Sequence, residues 1–201
     1  MRDNTMYKVG ITGGIGSGKS TVCKFFTVLN IPVFIADTAA KEIMNSSQHI
    51  RNQLISQFGE DVYVSGGYLL DRRKLAELIF NSPALLEKVA SIVHPEVRNY
   101  FINWVAKQNS PYVVYEAAIL FESGFYSSMD YNILVTAPAA ERIKRVMARE
   151  EITEQEIQNR MSKQWPDNDK IQLADYILNN DNKELIIPQL MELDKKFRAH
   201  G

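Results

Sequence analysis

The chain has 201 residues, 45% of them hydrophobic and 23% charged, which suits one folded domain with room for an insertion and excludes a disordered chain. Its 23 basic and 24 acidic side chains give a net charge of -1, so no positive field calls for nucleic acid, and the single cysteine, Cys23, excludes an internal disulfide and suits a reducing compartment. The longest apolar run, 112–125, is interrupted by Glu116 and Glu122, and 1–8 lack the apolar segment of a secretory signal; a cytoplasmic protein that does not engage membranes is expected.

Tyr7 to Thr12 reads as a strand that runs into Gly13-Gly14. Val22, Phe25, Phe26 and Leu29 then recur at helical spacing, Asn30 and Pro32 punctuate, and Val33 to Ile35 reads as a second strand ending at Ala36-Asp37. Strand, glycine-rich turn, helix and strand predict a parallel βαβ unit. The middle third is mostly helical. Ile43 and Met44, then Ile50, Leu54, Ile55 and Phe58, give two amphipathic stretches, the second closed by Gly59. Gly66-Gly67 marks a turn between two short β-prone pieces. Asp71 can cap a helix with Leu75, Leu78 and Ile79, and Pro83 can open another carrying Leu85, Leu86, Val89 and Val93. His94-Pro95 is expected to break that helix, and Phe101, Trp104 and Val105 mark the next.

Further strands are expected over Tyr112 to Tyr115, Tyr131 to Thr136 and Ala174 to Leu178. The helix after Pro138 carries Ile143, Val146 and Met147 inward, with Arg142, Lys144, Arg145 and Arg149 mostly outward. Thr153 with Glu156 has the spacing of a capping box, and Leu190, Leu193 and Phe197 mark a C-terminal helix. Alternating strands and helices predict a three-layer α/β fold.

The chemistry begins at Gly13, Gly14, Ile15, Gly16, Ser17, Gly18, Lys19, Ser20 and Thr21, which satisfy G-x-x-x-x-G-K-[ST] between a strand and a helix. Glycines let backbone N–H groups approach phosphate oxygens, and the following helix adds the positive end of its dipole. Lys19 can reach the β- and γ-phosphates, and the Ser20 hydroxyl can complete a Mg²⁺ shell. A nucleoside triphosphate with Mg²⁺ is therefore expected, though the cradle alone does not separate a kinase from a GTPase or a motor ATPase. Asp37 lies just past the second strand, where it can take a proton from an attacking hydroxyl or simply cap the next helix. Glu116, ending the third strand, has the placement of a metal-holding carboxylate or of an ordinary edge charge. Of Arg142, Arg145, Arg149 and Arg160, one or two are expected to act on phosphate and the rest to face solvent. His94 has no second metal ligand at the right spacing, and Cys23 reads as a packed hydrophobe.

These residues resemble the dephospho-coenzyme A kinase family. The opening Thr12 to Thr21 with Ala36-Asp37 is similar to that family's start, and the likeness continues through Leu70-Asp71-Arg72, Leu75, Phe80 and His94-Pro95. It runs on through Leu120-Phe121-Glu122-Ser123-Gly124, Arg145 with Arg149, Arg160 with Gln164, and Ala174-Asp175-Tyr176 with Asn180. The resemblance implies a P-loop kinase fold with a parallel five-stranded sheet. Its core would lie at about 7–37, 96–148 and 167–201, with a helical acceptor-binding insertion at about 38–95 and a helical lid at about 149–166. It implies transfer of the ATP γ-phosphate to the ribose 3′-hydroxyl of dephospho-CoA, giving CoA and ADP. Asp37 falls on the catalytic carboxylate, Arg149 on the lid arginine and Asn180 near the adenine; Arg72, His94 and Glu122 fall where the acceptor is held.

Three positions depart from the family pattern. Ile35 stands where a second Asp is frequent, Ala118 where a proline is usual, and Arg142 where a glutamine is common. The rival readings are a kinase of the same fold for another acceptor (a nucleoside monophosphate or shikimate) and a nucleotide-binding regulatory module without phosphotransfer. The sequence assigns no oligomeric state.

Overall fold

The computed structural model describes residues 6–64, 68–80 and 82–200, so the turn expected at Gly66-Gly67 lies outside the described residues. The chain divides into two compact units, 1–35 with 108–201 and 36–107.

The first unit is built on a five-stranded sheet of order β2-β3-β1-β4-β5, from β1 (Tyr7–Thr12), β2 (Val33–Ile35), β3 (Tyr112–Glu116), β4 (Tyr131–Thr136) and β5 (Tyr176–Asn179). Every pairing is parallel. Such strands need crossover helices and bury both faces, which is why they read as near-continuous apolar runs. Val9, Ile11, Tyr112, Val114, Ile133, Val135 and Leu178 share one face, against Val22, Cys23 and Phe26 of α1 (Lys19–Val28) and Leu190, Leu193 and Phe197 of α9 (Ile186–His200). On the other face a Cβ at Gly10 would meet Leu120 at 2.6 Å and Met129 at 2.9 Å. The residues after β3 pack there. Tyr112 crosses the core and donates its hydroxyl to Asp194 at 2.6 Å, and Asp194 pairs with Arg198 at 2.8 Å. This polar network ties α9 to β3.

The register sets the ends of the strands level. Ile11 of β1 and Ile35 of β2 both stand opposite Glu116 of β3, so the loops after these strands leave from one edge, where ligands bind in open α/β sheets. The unit is completed by α6 (Ala139–Met147), α7 (Glu154–Met161) and α8 (Asp167–Ile171). The fifth strand starts two residues later than expected because the N–H groups of Leu173 and Ala174 continue the turn of α8, bonding Lys170 and Ile171 carbonyls.

The second unit is helical: α2 (Ala36–Ser46), α3 (Gln48–Phe58), α4 (Arg72–Ile79) and α5 (Pro83–Val105). Ser47, Asp71 and Ser82 cap α3, α4 and α5 through their side chains. Tyr63 and Leu70 form an antiparallel bridge, the remnant of the two expected β-prone pieces. The expected break at His94-Pro95 does not occur: α5 runs through Pro95 without interruption. A proline inside a helix costs about 3 kcal/mol. Ile92, Val93, Val97 and Phe101 are buried on both sides of it, and burying each such side chain is worth about 1.5–3 kcal/mol. The boundary expected at 95 therefore falls inside a helix, and this unit ends at Lys107.

Candidate active site

The loop 13–18 joins β1 to α1, and its backbone is held from outside. Gly13 O accepts Lys19 Nζ at 2.8 Å, and Gly14 O accepts the Ser17 N–H at 3.1 Å. Ile15 O accepts Arg142 Nε at 2.9 Å. Gly16 O and Ser17 O lie 3.5 and 3.4 Å from Arg145 Nη1, and Ser17 O also accepts Asn180 Nδ2 at 2.8 Å. Each carbonyl from Gly13 to Ser17 thus has a donor. Gly16 at φ 77° and Gly18 at φ 103° adopt the left-handed conformation that lets successive N–H groups converge.

Helix α1 begins on Gly18, which has no side chain to cap it, and its first turn holds no acid. Helices α3, α4, α5 and α7 instead have Ser47, Asp71, Ser82 and Thr153 bonded to their first-turn N–H groups, the last in the expected capping box. The start of α1 is left for an anion. Ser20 and Thr21 are exposed in this turn. Among the described residues no group of three or more His, Cys, Asp or Glu could cage a metal. The Ser20 hydroxyl beside this loop fits Mg²⁺, which keeps several waters and takes its other ligands from phosphate.

Cys23, behind this turn, is buried, and its thiol is pushed up to about 12 by burial and by the charge of Glu116, with Lys19 opposing. It is the packed hydrophobe expected, not a nucleophile.

The arginines divide into two pairs. Arg142 was expected to face solvent with its neighbours; it is buried at 7% exposure, because its guanidinium bridges Ile15 O and Asp167 Oδ2, the latter at 3.3 Å. Arg145 likewise turns to the loop, and its Nη2 also donates to Asn180 O at 2.8 Å. Arg149 and Arg160 instead share one carboxylate, Glu150, at 2.5 and 2.8 Å. Asn180 meets the loop directly: a Cβ on Gly18 would lie 2.1 Å from its Nδ2. Glu122 pairs at 2.9 Å with Lys170, which is wholly buried, and accepts the Trp165 N–H at 3.1 Å. Sequence reasoning gave no role to Gln164, Asp167 or Lys170, since polar residues near a helix start read as solvated.

Three of the expected residues belong to the 36–107 unit. Asp37 is exposed in the first turn of α2. That helix starts at Ala36, so Asp37 sits inside it and does not cap one starting at Thr38. Arg72 opens α4 and donates to Lys41 O at 3.2 Å. His94 lies within α5, its pKa lowered by burial and by the nearby charge of Arg98.

The pattern of the dephospho-CoA kinase family matches residues 7–185. The chain belongs to the dephospho-CoA kinase family. The Porphyromonas gingivalis dephospho-CoA kinase is 39% identical over 195 residues, covering 96% of either chain. The Chlorobium luteolum dephospho-CoA kinase is 39% identical over 181 residues, covering 87% of this chain and 83% of its own. A crystal structure from Thermus thermophilus, 33% identical, matches over 97% of each chain with a TM-score of 0.81. The family and the activity expected from the resemblance hold. The chain is a kinase of the dephospho-CoA kinase family, with ATP and dephospho-CoA as its small-molecule substrates. The readings as a kinase for another acceptor and as a non-catalytic module give way to it. No described helix is long and apolar enough to cross a membrane.

Proposed function

We propose that the loop from Gly13 to Gly18 and the start of α1 hold the triphosphate of ATP, and that Asp37 prepares the ribose 3′-hydroxyl of dephospho-CoA to receive its terminal group. One observation carries this reading: the carbonyls of 13–17 all accept hydrogen bonds, the Gly14 carbonyl from the Ser17 N–H of the loop itself, which supports a loop whose Gly16 and Gly18 N–H groups serve an anion. Lys19 and Ser20 follow in the uncapped first turn of α1.

Asp37 stands two residues beyond the end of β2. Its carboxylate orients the 3′-hydroxyl and takes its proton as that oxygen attacks the γ-phosphorus. The bond from the γ-phosphorus to the bridging oxygen breaks, and ADP leaves. Lys19 and Arg149 stabilise the charge spread over the transferring group. Ser20 would hold Mg²⁺, which when bound neutralises phosphate charge. Segment 149–166 serves as a lid that excludes water, since an open site would hydrolyse ATP. Arg72, His94 and Glu122 hold the acceptor, and the acceptor region is the helical unit after β2. Asn180, bonded to the loop at Ser17 O, lies beside the adenine.

The test is CoA formation from ATP and dephospho-CoA by the purified chain, against nucleoside monophosphates and shikimate as acceptors. A strong preference for dephospho-CoA is expected; equal use of the others rejects the assignment. Asp37→Asn should lower kcat by about 10²–10⁴-fold with ATP binding nearly retained, the range for a lost general base. An Asp37→Asn enzyme with normal kcat would remove Asp37 from the chemistry.

A further inference from the structure

Ile15 is held through its backbone at both of the peptides that flank it. Its carbonyl accepts Arg142 Nε at 2.9 Å, and its N–H donates to Gln164 Oε1 at 2.9 Å. Gln164 also donates from Nε2 to Ala118 O at 3.4 Å, and Thr12 Oγ1 donates to the same carbonyl at 3.4 Å. Gln164 lies at the C-terminal end of segment 149–166, and that end is anchored. Trp165 N–H reaches Glu122, Lys170 pairs with Glu122, and Asp167 pairs with Arg142.

This arrangement fixes where the cradle begins. The Ile15 N–H, on the Gly14–Ile15 peptide, is turned outward and used, and so is the Ile15 carbonyl on the next peptide, so the Gly16 N–H, opposite that carbonyl, is turned the other way. A peptide plane is rigid, and turning one over reverses both its N–H and its carbonyl. Rotation of the Ile15 peptides would break the alternation on which the convergent N–H groups depend. The loop cannot settle this orientation alone, because Gly14 and Gly16 on either side of Ile15 are conformationally permissive. Space is also closed around it: a Cβ at Gly14 would lie 1.9 Å from Arg142 Nη2.

We propose that Gln164 is a positioning residue for phosphate binding: its side-chain oxygen holds the Ile15 N–H and thereby sets the orientation of the phosphate-binding backbone. It touches no substrate and acts through the loop. The proposal rests on the reading of that loop as the ATP phosphate site.

The test compares Gln164→Met with Gln164→Ala. Methionine keeps the length and volume of glutamine but offers no acceptor of comparable strength. Both variants should weaken ADP and ATP binding by about five- to tenfold, as loss of one net hydrogen bond implies. KM for dephospho-CoA should stay within about twofold, and exchange of the Ile15 amide hydrogen should quicken in both. A Met variant that binds ADP like the wild type, with Ala weakened, would show that Gln164 only packs and would overturn the proposal. So would an equal loss for ADP and dephospho-CoA, which marks a general structural role. Wild-type protein that binds no ADP would defeat the underlying reading of the loop, and the proposal with it.

Discussion

The phosphate loop and the arginine pair at Glu150 both offer positive groups for phosphate, yet they are held in opposite ways. The loop is fixed by buried and half-buried partners: Arg142 is 7% exposed, and the half-buried Arg145 and Asn180 close on the loop carbonyls beside it. Arg149 and Arg160 are 60% and 51% exposed and share one carboxylate in ion pairs open to solvent. Peptide dipoles cannot be re-aimed without rotating the backbone, so a cradle made of them has to be formed before ATP arrives. Guanidinium groups on long side chains can swing, and an exposed ion pair worth about 0.2–1 kcal/mol is easily exchanged for a phosphate. On the proposed function, the fixed loop serves chiefly binding, with Lys19 reaching the transferring group from it, and the loosely held Arg149 serves the transfer step.

If that division is right, Arg149→Ala should separate rate from stability. We expect kcat to fall by about 10³-fold, the low end of what an arginine supplies to phosphoryl transfer. Tm should stay within about 2 °C, because only an exposed pair is lost. A matching fall in both would put Arg149 in the scaffold and break the contrast. The buried pair of the same unit should behave in the reverse way. Lys170→Ala leaves the Glu122 carboxylate, 13% exposed, without its cation. Removing one partner of such a pair costs about 3–5 kcal/mol. Urea unfolding should show that loss, and Lys170→Met with Glu122→Leu should recover most of it, since the cost lies in the charge left alone. No recovery would mean that the pair itself stabilises the fold.

How far the sequence exposes this site depends on the range of the interactions. Strand, glycine-rich turn and helix over 7–28 are local, and so are the caps at Asp71 and Thr153 and the helix opening at Pro83; each is legible because a few adjacent residues decide it. Pro95 misleads for the opposite reason. Its local preference is overridden by apolar contacts along the rest of α5, which no short window contains. Arg142, Gln164 and Asp167 escape for a related reason. Arg142 and Gln164 bond the backbone of Ile15, 127 and 149 residues away, and Asp167 bonds Arg142, and nothing in a charge pattern distinguishes a guanidinium that will be buried from one that will be solvated. Lys170, wholly buried, is the extreme case. The glycines at 14 and 16 carry a trace of it, because they leave the room that Arg142 fills.

The mildest test of the contrast is Glu150→Gln. The Glu150 carboxyl is held below its usual value, first by the hydrogen bond from Arg149 and then by that from Arg160. A folded-state value below the unfolded one stabilises the protein at pH above the ordinary Glu range of about 4.3 and is lost as pH falls through the lowered value. Glu150→Gln should therefore lower Tm by only about 1–2 °C at pH 7, and the gap should close as the pH falls through the lowered value. Raising salt at pH 7 should shrink it too, because exposed charges are screened. A gap that persists in acid, or that ignores salt, would mean that Glu150 acts through packing, and the arginine pair would then be no more exchangeable than the loop.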